Sequence, residues 1–262
     1  MKLGILALVI LTFTFTSCNN SSDEQEGEST SISYVDDGDF DVQIAIIEAE
    51  LAEQVLVKSL MYLHDDGSTA STYAYLDKED KLIKIEEVLF DVNTNSFIYQ
   101  DFYFKAGKQF ASRLRKQKSL GEKTFFSEVV SFYDEKGAVT ASKERAAQFE
   151  EYLGMEGYKA CENQKHDSEN AYAMLYQKGK YQTAFRGFAS AGNYEFLIVG
   201  GNDENDFTSS LSIQEDSPTL RFLRAEGKKA LGQKLKVEFE RFTDQQGYEM
   251  QLLRDLAIVK GE

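Results

Sequence analysis

The sequence predicts a mainly β protein of the α+β class, an antiparallel β-meander followed by a second β-rich part with one helix. Three observations predict it. From about residue 54 to 145, short β-like runs alternate with Asn, Asp and Gly turns. In the last eighty residues, alternating strands flank one helix start, Ser217-Pro218. The 262 residues are 42% hydrophobic and 13% aromatic, enough for a sizeable core.

Residues 1–18 come first in order. Lys2 is a positive start, and Leu3–Phe15 is an apolar run of 13 residues. A helix of that length rises about 20 Å, short of the roughly 30 Å hydrocarbon core. The pattern predicts a signal peptide over 1–17. Its end, Phe15-Thr16-Ser17-Cys18, resembles the lipobox of bacterial lipoproteins. The resemblance implies cleavage before Cys18, a thioether-linked diacylglycerol on its sulfur and an acylated (palmitate-type) amino group. A secretory signal with a chance Cys is the alternative. Two or more chains hold a protein stably in a bilayer, where one does so only marginally. The resemblance thus implies an envelope protein attached to a membrane through its N-terminal lipid. The outer membrane is expected, on either the periplasmic or the surface-exposed face.

Residues 18–39 are expected to form an acidic, disordered tether. Seven acids (Asp23, Glu24, Glu26, Glu28, Asp36, Asp37, Asp39) stand there without Lys or Arg, and few apolar residues repay chain entropy. Such a tether spans about 25 Å on average.

Residues 40–160 are expected to form the meander domain with an N-terminal helix. Val42, Ala45, Ile46, Ala49 and Ala52 follow helical spacing, so a helix is expected to about Glu53, then a strand over 54–63. Thr72–Leu76, Leu82–Phe90, Phe97–Lys105, Gln109–Lys116, Thr124–Asp134 and Val139–Lys143 are the strands, and Ala146–Leu153 is expected to be helical. In Phe97–Phe104, Phe97, Tyr99 and Tyr103 share one face, while Ile98, Phe102 and Phe104 share the other. Such bulk implies a strand covered on both sides or an aromatic groove.

Residues 161–262 are expected to form the second domain. A helix over Ser168–Tyr176, capped by Asp167, precedes strands at Lys180–Ser190, Tyr194–Val199 and Phe207–Ile213. Ser217 caps the next helix, Gly232 ends it, and strands follow at Leu235–Glu240 and Tyr248–Val259. The order β-β-β-α-β-β over about Lys180–Lys260 resembles an OB-fold, which implies a five-stranded barrel. A plain α+β sheet is the alternative. OB-folds elsewhere bind oligonucleotides or oligosaccharides, but a fold alone does not import a role.

Charge and motifs bound the function. The net charge of −15 opposes duplex nucleic-acid binding. Gly-x-Ser-x-Gly, Walker and His-Glu-x-x-His patterns do not occur, and His64 and His166 sit in polar turns. The acidic runs 36–41 and 202–206 lack the spacing of a Ca²⁺ loop, so no metal and no cofactor is expected. With Cys18 lipidated, Cys161 stands alone, read as a small half-buried residue. One asymmetry remains. Lys105, Lys108, Arg113, Arg115, Lys116 and Lys118 fall in a stretch without acids. They form either a docking stripe for an anionic glycan, lipid headgroup or acidic protein, or a strand face balanced by Glu86, Glu87 and Glu128. The expectation is a non-enzymatic envelope binding protein. A glycan or peptidoglycan hydrolase using a carboxylate pair, and a protective inhibitor of the immunity type, are the alternatives.

Overall fold

A computed structural model describes residues 38–259 except 121–122, 202, 204–205 and 244–246; the side chains of 38, 39, 118–120 and 123 also lie outside the description. The signal peptide, Cys18 and the tether up to residue 37 fall outside these residues.

The described chain is mostly β, with a mixed sheet of 14 strands that is not closed into a barrel. Helix α1 (Gly38–Glu50) and a 3₁₀ turn (Leu51–Glu53) lead into β1 (Val55–Lys58) and β2 (Tyr62–Leu63). The meander follows as β3 (Thr69–Leu76), β4 (Leu82–Asp91), β5 (Ser96–Lys105), β6 (Lys108–Leu120), β7 (Lys123–Tyr133) and β8 (Val139–Ala147), each antiparallel to the next. The turns explain the reversals. Asp77 Oδ1 accepts the backbone N–H groups of Glu79 and Lys81, and Asp134 Oδ1 those of Lys136 and Ala138. The tight β5–β6 turn puts Ala106 and Gly107 at φ of 50° and 76°, as a two-residue turn with matching twist requires.

Three expectations for this half are corrected. The strand over 54–63 breaks at Ser59–Met61, where Leu60 turns inward and is fully buried. The helix over 146–153 is not formed. β8 runs on to Ala147, which pairs with Phe126, and a 3₁₀ segment, Glu150–Met155, follows. Ladder pairing overrides the local helix preference of Ala-Ala-Gln-Phe-Glu-Glu. The first helix also begins at Gly38, inside the expected tether.

After the short β9 (Lys159–Ala160), α2 (Glu169–Leu175) covers one face of the meander. Its N-cap is Ser168 rather than Asp167, whose carboxylate instead accepts the Glu169 N–H at 3.3 Å. β10 (Ala184–Ala191), β11 (Tyr194–Gly200) and β12 (Thr208–Ile213) form the next antiparallel set. α3 (Pro218–Glu226) starts with Pro218 in its first turn and the Ser217 side chain accepting the Leu220 N–H at 3.2 Å. β13 (Leu235–Thr243) and β14 (Glu249–Ile258) pair as a hairpin. The β-β-β-α-β-β order stands, but barrel closure is not found. β12 pairs with β2 through Thr208↔Leu63 and meets β14 in parallel at Ser212↔Leu252, while β10 meets the start of β13 at one bridge, Ala184↔Lys234. Backbone hydrogen bonds of Phe185 with Gln233 and Gly232, and of Leu235 with Thr183, flank the bridge without extending it into a strand ladder.

Each meander face carries its own core. Phe40 and Ile44 of α1 pack on Tyr103, Phe110, Ala111, Val130 and Phe132, with Phe40 stacked on Phe132 at 5.3 Å. On the opposite face, Ala171 and Leu175 of α2 pack on Ala74, Ile85, Phe102 and Phe104. The third and largest core lies among the C-terminal strands and α3, around Leu197, Leu211, Leu223 and Val237.

Candidate functional site

α1 covers only part of its face of the meander. Beyond it, cross-strand register aligns Ser71, Val88, Tyr99 and Arg115 on β3–β6, and Phe90 with Phe97 two residues on. Phe97 is 49% exposed, and Val88, Phe90 and Tyr99 are half-buried. The rings run in a row, with Phe90–Phe97 at 5.0 Å and Phe97–Tyr99 at 6.0 Å between centroids.

Two cavities meet at Phe97. The larger, about 510 Å³, lies between this floor and β12–β14, lined by Leu63, Tyr73, Val88, Ile198, Arg241 and Glu249 among others. That volume falls in the usual range for small-molecule sites. The smaller, about 250 Å³, is bounded by Tyr99, Arg115, Phe126, Glu150 and Leu153. Together they form an aromatic-floored groove.

The groove's inner end is built on two buried polar side chains. Arg241 Nε donates to Glu249 Oε1 at 2.9 Å and its Nη2 lies 2.8 Å from Oε2, a forked pair. Nη1 donates to the Ser59 carbonyl at 3.2 Å, Nη2 to the Tyr73 hydroxyl at 2.7 Å, and the guanidinium lies 4.8 Å from the Tyr73 ring. Gln251 accepts the Met61 N–H at 2.7 Å and donates to Ser209 Oγ and the Ser210 carbonyl. These side chains satisfy backbone groups that the β1–β2 corner leaves outside the ladder. Burial alone would raise the Glu249 carboxyl, but the Arg241 fork, with Lys58 beside it, holds it below its usual value.

The floor's other end is an ion cluster under α1. Asp101, fully buried, accepts Arg113 Nε at 3.0 Å and Arg115 Nη2 at 3.4 Å on Oδ2. Lys84 Nζ lies 3.3 Å from its Oδ1, an ion pair without hydrogen-bond geometry. Glu48, reaching down from α1, takes Lys84 at 3.0 Å and also Arg113 and the Tyr103 hydroxyl. Burial would raise the Glu48 carboxyl, yet those three partners bring it below normal. Glu86 is pushed up, first by burial and then by the Asp101 charge. Tyr75 is pushed up to about 12, mostly by burial.

The structure does not assemble the basic stripe as one surface. Strand alternation divides it. Arg113 belongs to the buried cluster, and Arg115 lines the groove. On the opposite face, the Lys116 charge and, more strongly, burial depress the His166 imidazole. Lys105 and Lys108 stand at the β5–β6 turn on a separate cavity of about 660 Å³, with Phe40, Tyr133, Asp134 and Glu135. The Lys118 side chain and Cys18 lie outside the described residues. Of the expected balancing acids, Glu128 stands across the ladder from Arg115 and Glu86 feels the Arg115 charge, while their nearer partners lie elsewhere. Glu128 pairs with Arg145, and Glu87, on the α2 face, bonds Asn170. Among the described residues, no cluster of three or more His, Cys, Asp or Glu side chains is placed to hold a metal ion, and no helix is long and apolar enough to cross a membrane.

Sequence reasoning missed Asp101 and Arg241. Both carried a signal. Asp101 shares the parity of Phe97, Tyr99 and Tyr103, and Arg241 that of Leu235, Val237 and Phe239. A charge at an inward position of an alternating strand marks a buried pair. Comparison with protein-family models, curated proteins and solved structures returns no match.

Proposed function

We propose that this chain is a non-enzymatic binding protein of a bacterial envelope, held to a membrane by lipid on Cys18, and that it takes a glycan chain in the groove over β3–β6. The half-exposed row Phe90–Phe97–Tyr99 carries the reading. Faces of sugar rings present C–H groups of slight positive charge, which pack on the negative faces of aromatic rings. Two cavities sharing one exposed ring offer consecutive seats along a polymer.

The same reading takes β10–β14 as OB-like. It is supported by the strand order β10-β11-β12-β14-β13, the parallel step from β12 to β14, the Ala184↔Lys234 bridge and the helix between third and fourth strands. OB-folds bind oligosaccharides on the face of their second and third strands. Ile198 and Ser210, from the corresponding β11 and β12, line the larger cavity.

The test is calorimetric titration with an oligosaccharide panel, using wild type and Phe97→Ala. Loss of the ring weakens binding about tenfold or more, as hot-spot aromatics do. Unchanged affinity in the variant rejects the groove as the site.

A further inference from the structure

We propose that Arg115, stacked on Tyr99 in the smaller cavity, receives the carboxylate of an acidic sugar residue, so that the groove selects acidic over neutral glycans. This rests on the reading of the groove as a glycan site.

The cations around Asp101 are unequally neutralised. Lys84, with its side chain 3% exposed, has Glu48 at 3.0 Å, Asp101 at 3.3 Å and Glu86 at 3.6 Å. Arg113, 20% exposed, has Asp101 at 3.0 Å and a hydrogen bond to Glu48. Arg115 is 36% exposed, and it has one carboxylate contact within 4 Å among the described residues, 3.4 Å to an Asp101 oxygen already taken by Arg113 at 3.0 Å. It is the outermost cation and the one with capacity left.

Its surroundings fit a ring that bears an acid. The guanidinium lies 5.3 Å from the Tyr99 centroid, a cation–π contact, and donates from Nη2 to Asp101. Phe97, 6.0 Å from Tyr99, supplies the neighbouring seat for a sugar face. On this face of the sheet the charged side chains lining the cavity are Arg115 and Glu150, on a chain of −15. The chain repels anions at long range, so a carboxylate that binds here is recognised at contact, through a charge-assisted hydrogen bond to Arg115.

Trigalacturonate and the matching neutral galactose trisaccharide, titrated into the full chain at low salt, test this. Wild type is expected to bind trigalacturonate at least tenfold more tightly. Arg115→Gln removes that preference while still binding the neutral sugar, which shows that the variant is folded. Glu150→Gln, at an exposed position, increases the preference and keeps the test open should Arg115→Gln not fold. Equal affinities in wild type, or a preference that survives Arg115→Gln, overturn the proposal and leave the glycan site standing. Binding of neither sugar, with Phe97→Ala equally silent, overturns both.

Discussion

Asp101 shows how one side chain can hold a site together. It is fully buried, and Lys84, Arg113 and Arg115 all converge on it. Removing one member of a buried ion pair strands the others and costs about 3–5 kcal/mol. Asp101→Asn is therefore expected to lower stability by that amount in urea unfolding, with near-native stability as the contrary result. Glu87 behaves oppositely. Burial raises its carboxyl, and the Asn170 hydrogen bond only partly compensates. A raised carboxyl binds its proton more tightly when folded, so its charged form destabilises the fold at pH 7, and that cost fades as pH falls and the group protonates. Glu87→Gln keeps an acceptor oxygen for Asn170 without the charge. It is expected to melt higher than wild type at pH 7, with the gap closing toward pH 4. A gap that widens on acidification contradicts this.

Among the elements, the meander was legible because each strand pairs with its sequence neighbour and each turn carries its own Asp, Asn or Gly. β4, β5 and β7 fall within a residue of their expected bounds at either end. The errors sit where distant contacts decide. Ala146–Ala147 joins the ladder through Phe126, and the 54–63 strand breaks because Gln251 and Arg241, some 190 residues on, satisfy its corner. The stripe was visible as composition but not as geometry, since a strand sends alternate residues to opposite faces. The apolar stripe at helical spacing, Val42, Ala45, Ile46, Ala49 and Ala52, proves to be exposed, because α1 is apolar on both sides and the other side packs. Ile44 is 8% exposed and Ile46 52%. Ile44→Ala is expected to cost about 2–5 kcal/mol, and Ile46→Ala within about 0.5 kcal/mol. Equal losses by thermal melting would mean that α1 does not dock as described.

At the scale of the whole molecule, the strand path runs from β10 through β2 and on to β9, so the groove draws its floor from the meander and its inner end from β12–β14. That junction joins residues 61 and 251 in one hydrogen bond, a separation no local pattern encodes. Attachment is a separate matter, resting on Cys18. Cys18→Ala is expected to move the protein from the membrane fraction to the soluble one, and unchanged sedimentation with membranes refutes the lipid anchor. The groove itself is tested most directly by aromatic NMR of protein labelled at Phe and Tyr, titrated with an oligosaccharide that binds. The expected result is shifts centred on Phe97 and Tyr99, spreading to Phe90 and Tyr73. Shifts at Phe40 and Phe110 beside the Lys105 turn, with Phe97 unmoved, would contradict it.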